Sequence, residues 1–192
     1  MKVTDVAEIH GAYLFEPTPY ADERGFFCRT FDADVVRSAG IDPDAFVQDS
    51  LSRSARGVLR GLHLRSGAGE AKLVRCSYGK VFDVVVDLRP HSPTYLNRGF
   101  FELSGETQAT LYVPAGCAHG FQALTETADT SYRIDRPHAP AEDVTIAFDD
   151  PDLAVPWPLP PTSVSRRDRE APGLAEFLQR QKHEGSRDRR DG

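Results

Sequence analysis

No run in this 192-residue sequence is apolar over the length a membrane span needs. The opening fifteen residues, MKVTDVAEIHGAYLF, also lack the apolar centre of a secretory signal. Basic charge is not in excess. The formal net charge is -6, which argues against non-specific binding to nucleic acid, because that needs a cationic face. Cysteine is scarce and odd in number. Cys28, Cys76 and Cys117 have no CxxC spacing, which excludes a zinc ribbon and fits a reducing cytoplasm. They read as buried thiols acting as small hydrophobes. There is no internal repeat. With 40% hydrophobic and 27% charged residues, what remains is an ordinary globular chain, long enough for one domain with a sizeable core. Its expected partner is a small molecule, not a membrane or a nucleic acid.

Proline and glycine punctuate the chain about every ten residues, and the runs between them are rich in Val, Phe, Leu and Tyr. That rhythm predicts an all-β fold of about ten short strands, a jelly roll with few helices. Strands are expected at 12–16, 24–31, 58–64, 71–77, 80–88, 98–104, 109–113, 119–124, 130–134 and 143–148. The clearest is KVFDVVVDL, 80–88. Its alternation sets Phe82, Val84, Val86 and Leu88 on one face and Val81, Asp83, Val85 and Asp87 on the other. A short helix is expected at 32–39, capped by Asp32. Another is expected at 172–182, starting at Pro172, with Leu174, Phe177 and Leu178 as its apolar stripe. Residues 1–182 read as a single domain. The charged, apolar-poor segment 183–192 reads as a disordered tail.

Against the acidic whole, residues 48–80 hold Arg53, Arg56, Arg60, Arg65, Lys72, Arg75 and Lys80 beside two acids, Asp49 and Glu70. Such a patch suits a phosphorylated small substrate, since arginine forks and lysine point charges both grip phosphate. Arg53, Arg56 and Lys80 read better as solvated strand faces. Arg60 and His63 are an odd number apart, so they share a strand face only if a bulge intervenes. Lys72, Val74 and Cys76 do share a face. Asp83 faces inward, which is costly unless it is paired. It marks either a ligand cavity or a buried structural pair.

His119, after the turn VPAGCA, fits a structural or a functional role equally. Cys117 and His119 are two apart on one strand, a poor geometry for a nucleophile and its base. His63, Glu70 and His119 have the residue types of a two-histidine, one-carboxylate iron site. The cations Arg65 and Lys72 beside them oppose a dication. Proton abstraction next to a carbonyl fits better. His63 would be the base, Lys72 would stabilise the enolate oxygen, and Tyr132 would be the acid on the far face.

Six ordered segments carry a resemblance that covers roughly residues 1–172. They are ADERGFF (21–27), QDSLSRSARGVLRGLH (48–63), EAKLVRCSYGKVFDVVVDLRPHSPTY (70–95), LYVPAGCAHGF (111–121), DDPDLAVPWP (149–158) and SRRDREAP (165–172). The sequence resembles the cupin-fold dTDP-4-dehydrorhamnose 3,5-epimerase family. The resemblance implies a double-stranded β-helix, a homodimer that exchanges an N-terminal strand, and a nucleotide-linked 4-keto-6-deoxyhexose as substrate. It implies no metal and no organic cofactor. It matches His63 to the base and Asp168 to its carboxylate partner. Tyr132 matches the acid and Lys72 the lysine near the ketone oxygen. Arg24 and Arg60 match positions that grip the diphosphate. Gln48, Asp83 and His119 match positions that line the sugar pocket. The chain departs from many members at Arg29, Ser50, Arg65 and His138, several of which lie near the nucleotide in the family. Alternatives to epimerisation at both C3 and C5 are a single-site epimerase, an iron-dependent cupin oxygenase and a non-catalytic sugar-nucleotide binder.

Overall fold

The structure, a computed structural model, describes residues 1–187. Its strands in chain order are β1 (Lys2–Asp5), β2 (Tyr13–Glu16), β3 (Tyr20–Asp22), β4 (Gly25–Phe27), β5 (Gln48–Ala55), β6 (Val58–Arg65) and β7 (Lys72–Tyr78). They continue with β8 (Lys80–Asp87), β9 (Arg98–Ser104), β10 (Thr110–Val113), β11 (Cys117–Ala123), β12 (Thr127–Ile134), β13 (Asp143–Thr145) and β14 (Ser163–Val164). The helices are α1 (Ala33–Ser38), α2 (Arg166–Arg169) and α3 (Leu174–Arg187). One sheet runs β1-β2-β10-β7-β12-β5. The other runs β13-β6-β11-β8-β9, with β14 parallel to β6 at its margin. The two face each other as a jelly roll, and β3–β4 stands apart as a hairpin.

Period-two alternation decides what each face does. On β8, Val81 and Val85 enter the core between the sheets, with Val74, Leu103, Leu111 and Phe121. Val84, Val86 and Leu88 point the other way, against Ile146, Leu153, Leu174 and Phe177. The sequence-predicted stripe of α3 therefore covers the outer face of the second sheet, and Leu178 packs there too. Asp32 caps α1, accepting from the amides of Asp34 and Val35. Val36 of α1 joins Phe15, Ile41 and Leu73 over the outer face of the first sheet.

The sequence reading needs correcting in several places: the short strands β1, β3 and β14 were not expected, and the strand expected at 143–148 ends at Thr145. Strand β5 was not expected. Its residues, QDSLSRSA, are polar on both faces, so it shows no hydrophobic alternation. The expected strand 24–31 shortens to Gly25–Phe27, whose residues are exposed. Helix α3 ends at Arg187, past 182, and so takes in residues 183–187 of the segment read as disordered. Residues 188–192 lie outside the described residues.

The bulge that lets Arg60 and His63 share a face is present. His63 pairs with His119, but Arg60 pairs with Phe121, so three steps on β6 match two on β11. The strands approach closely there through glycine. A Cβ on Gly120 would lie 2.8 Å from the Arg60 carbonyl oxygen and 3.0 Å from Gly61 Cα. Gly61 itself has φ +139, which L side chains rarely adopt. Replacing Gly120 by Ala is expected to cost about 1–3 kcal/mol, as overpacking of a tight interior does. Thermal unfolding measures it, and a wild-type Tm would mean that the two backbones can part freely.

Candidate active site

A cavity of about 560 Å³ opens between the sheets, lined by Ser52, Arg60, His63, Lys72, His119, Tyr132 and Asp168 among others. Opposite sheets supply its chemistry. Strands β6 and β11 bring Arg60, His63 and His119, while β7, β12 and β5 bring Lys72, Tyr132 and Ser52.

His63 Nε2 lies 2.7 Å from Asp168 Oδ1, across 105 residues of sequence. The Asp168 side chain is 3% exposed. Its other oxygen accepts the Gly61 amide at 3.3 Å. Its own amide donates to Ser165 Oγ, which caps the short helix α2. Burial alone would raise the Asp168 carboxyl. The His63 hydrogen bond and charge, with the Gly61 and Ser165 hydrogen bonds, outweigh it and hold the group below its ordinary value. With Nε2–H donating to Asp168, the ring's lone pair sits on Nδ1. That is the arrangement of an oriented base.

The other charges of the interior are also paired. His119 Nε2 donates to both oxygens of the fully buried Asp83, at 3.0 and 2.9 Å. Of the two readings of Asp83, the structure shows the buried pair. Asp83 does not line the cavity, and His119 stands between them. Lys72 Nζ meets Glu70 Oε1 at 3.1 Å, and Arg65 meets Glu70 Oε2 at 2.8 Å, all three residues being buried. Arg65 also donates to the Pro137 carbonyl at 2.7 Å.

Tyr132 faces His63 from the opposite sheet. Its ring meets that of His119 edge-on, with centroids 6.4 Å apart, and tilts against Phe121. Its hydroxyl lies 3.0 Å from Ser52 Oγ. Burial is the main cause that pushes the phenol's pKa well up. The Asp83 charge adds to it, and the Ser52 hydrogen bond and Arg60 oppose it. At the mouth, Arg60 Nε donates to Ser54 Oγ at 3.1 Å.

Not every expected residue arrives here. Arg24 lies on the exposed β3–β4 hairpin and pairs with Asp22, outside this cavity. Gln48 sits just past the lining on β5, donating to Ser50 Oγ at 3.3 Å. The cationic segment does not form one patch. Arg53 pairs with Asp129 and Lys80 with Glu102, as solvated faces do, and Arg75 bonds Gln108. Glu70 is turned onto Arg65 and Lys72. Among the described residues, no three His, Cys, Asp or Glu side chains are grouped to hold a metal ion. Cys117 is buried in the inter-sheet core, and that burial pushes its thiol up to about 12, so it is no nucleophile. Five polar lining residues were not among the expected site residues: Ser50, Ser52, Ser163, Ser165 and Arg167. Ser50 and Ser52 sit on the strand that went unseen. Arg167 precedes Asp168 and donates to Thr145 Oγ1 at 2.7 Å.

The family model described as dTDP-4-dehydrorhamnose 3,5-epimerase matches residues 6–176. The dTDP-4-dehydrorhamnose 3,5-epimerase of Pseudomonas aeruginosa is 42% identical over 177 residues, 92% of this chain and 97% of that protein. Among solved structures, dTDP-6-deoxy-D-glucose-3,5-epimerase from Legionella pneumophila, in complex with dTDP-4-keto-L-rhamnose, superposes with a TM-score of 0.85 at 40% identity. That match covers 91% of this chain and 93% of the other. A 3'-monoepimerase from Streptomyces bikiniensis, in complex with dTDP-quinovose, superposes with a TM-score of 0.81 at 35% identity, covering 89% and 88%.

The depressed Asp168 carboxyl sets an acid limit. An unfolded aspartate titrates near pH ~3.9. A carboxyl held below that value in the folded state contributes stability above pH ~4 and loses it as the pH falls through the folded value. The stability that wild type holds over Asp168→Asn is therefore expected to shrink below pH ~4. Urea unfolding across pH 3 to 7 measures it, and an excess that stayed constant would remove this role.

Proposed function

The chain belongs to the dTDP-4-dehydrorhamnose 3,5-epimerase family, and from that premise we propose that it epimerises a dTDP-linked 4-keto-6-deoxyhexose at C3 and C5. The observation that carries the reading is the pairing of an oriented histidine on one wall of the cavity with a buried phenol on the other.

The ketone acidifies the hydrogens on its neighbouring carbons. His63, oriented by Asp168, takes one of them and becomes an imidazolium beside a carboxylate. Lys72, fixed by Glu70, donates to the enolate oxygen. Tyr132 returns a proton from the opposite face, which inverts the carbon. Arg60 and His119 hold the diphosphate and the sugar, and Gln48 extends that polar row. No step calls for a metal or an organic cofactor. Asp83 acts through His119, fixing its ring.

The same catalytic groups serve a monoepimerase, so the number of inverted carbons rests on how the sugar sits between His63 and Tyr132. Proton NMR in deuterated water, with dTDP-4-keto-6-deoxyglucose, follows C3 and C5 separately. Loss of both signals is the expected outcome. Loss of one would identify a single-site epimerase, and loss of neither would refute the assignment. His63→Asn is expected to lower kcat by about 10²–10⁴-fold while dTDP-sugar binding persists. Near-normal turnover would mean that another group is the base.

We further propose a homodimer working in the cytoplasm, with the β3–β4 hairpin reaching the partner's cavity. Tyr20, Phe26 and Phe27 leave a large apolar area of the hairpin open, 54–71% exposed, and Arg24 stands at its turn. Sedimentation is expected to give twice the chain mass. Arg24→Ala should raise KM more than it lowers kcat, and a monomeric, fully active protein would refute the exchange.

A further inference from the structure

On β5 the inward positions are Gln48, Ser50, Ser52 and Ser54, alternating with exposed residues. Each serine hydroxyl serves a different residue of the site. Ser50 accepts from Gln48 Nε2 at 3.3 Å and Ser54 from Arg60 Nε at 3.1 Å, while Ser52 Oγ lies 3.0 Å from Tyr132 Oη. Register enforces this division. Tyr132 pairs with Ser50 across the strands and Thr130 with Ser52, so the long phenol reaches diagonally to the next serine of the row. His119 meets the ring edge-on and Phe121 lies tilted against it, and the hydroxyl is the ring's one polar atom.

We propose that Ser52 is a positioning residue for Tyr132, aiming the phenol at the enolate and supporting the phenolate left after proton transfer. The inference rests on the epimerase reading above. In the step, the Tyr132 O–H bond breaks and a C–H bond forms at the enolate carbon. The O–H electron pair stays on Oη as phenolate. Ser52 keeps its own proton and donates it in a hydrogen bond to that oxygen. His63 holds the proton it removed and releases it to solvent, from which Tyr132 is reprotonated. A hydroxyl both donates and accepts, so the same contact serves before and after transfer. It strengthens only as charge develops on the phenol. It therefore favours the transition state over bound substrate and acts on kcat.

The test compares wild type, Ser52→Ala, Tyr132→Phe and the double variant on dTDP-4-keto-6-deoxyglucose in deuterated water. Solvent exchange at C3 and C5 and formation of inverted product are followed together. Ser52→Ala is expected to lower kcat for inversion about 10- to 100-fold, the loss of one hydrogen bond to a charged group. KM should stay within about threefold. Exchange driven by His63 should persist, so the ratio of exchange to inversion rises. The double variant should be no slower than Tyr132→Phe alone, because the serine acts through the phenol. Ser52→Thr, which keeps the hydroxyl, should recover most of the inversion rate. If Ser52→Ala does not fold, Ser52→Cys keeps the volume with a weaker donor and is read the same way. Inversion within twofold of wild type would overturn the proposal. So would an equal loss of exchange and inversion, or a double variant slower than Tyr132→Phe by the full factor of Ser52→Ala. Wild type that exchanges neither hydrogen would bring down the epimerase reading itself, and this proposal with it.

Discussion

Between Arg60 and His63, β6 carries one more residue than β11 carries between His119 and Phe121, and the site is built on that mismatch. A regular strand would send one of the two basic side chains to the outer face, where Leu62 and Leu64 pack beneath the C-terminal segment. The extra residue is absorbed where Gly61 meets Gly120 and neither carries a Cβ to keep the backbones apart. The mismatch therefore lets the cation at the mouth and the histidine deeper in the barrel look into one cavity. It also leaves the Gly61 amide free of the ladder to donate to Asp168.

A charged interior is affordable only in pairs, and every ionised group near the cavity floor has a partner. Asp168 orients His63, Asp83 orients His119, and Glu70 lies between Lys72 and Arg65. Asp168 and Asp83 reach their histidines from distant parts of the chain and Glu70 stands two residues from Lys72, so the groups are fixed before a substrate arrives. Donors set in place in this way need little reorganisation when charge appears on a bound ketone. The short helix α2 belongs to the same design. It exists to present one buried aspartate, and a serine cap sets its first turn.

Of the departures from the family pattern, Arg65 is absorbed into the buried Glu70–Lys72 group. Ser50 lies in the cavity wall and accepts from Gln48. Arg29 is exposed and pairs with Asp32, and His138 is exposed. Two of the four therefore touch the site within this chain, and neither displaces the histidine, the phenol or the lysine.

The sequence by itself determined the strands whose apolar residues alternate. It also determined that Lys72, Val74 and Cys76 share a face, the stripe of α3, and that Arg60 and His63 could share a face only across a bulge. All of these follow from spacing along a few residues, where period two or 3.6 is fixed by backbone geometry. It did not reveal β5, because a strand lined by serines and flanked by charges has no hydrophobic alternation to read. The pairing of His63 with Asp168 came from family resemblance and not from spacing. The choice between cavity and buried pair for Asp83 stayed open, and so did which of the remaining cations of 48–80 face the cavity. Only the tertiary structure decided these, because contacts between residues as far apart as 105 positions depend on sheet register and on which way each strand turns its faces.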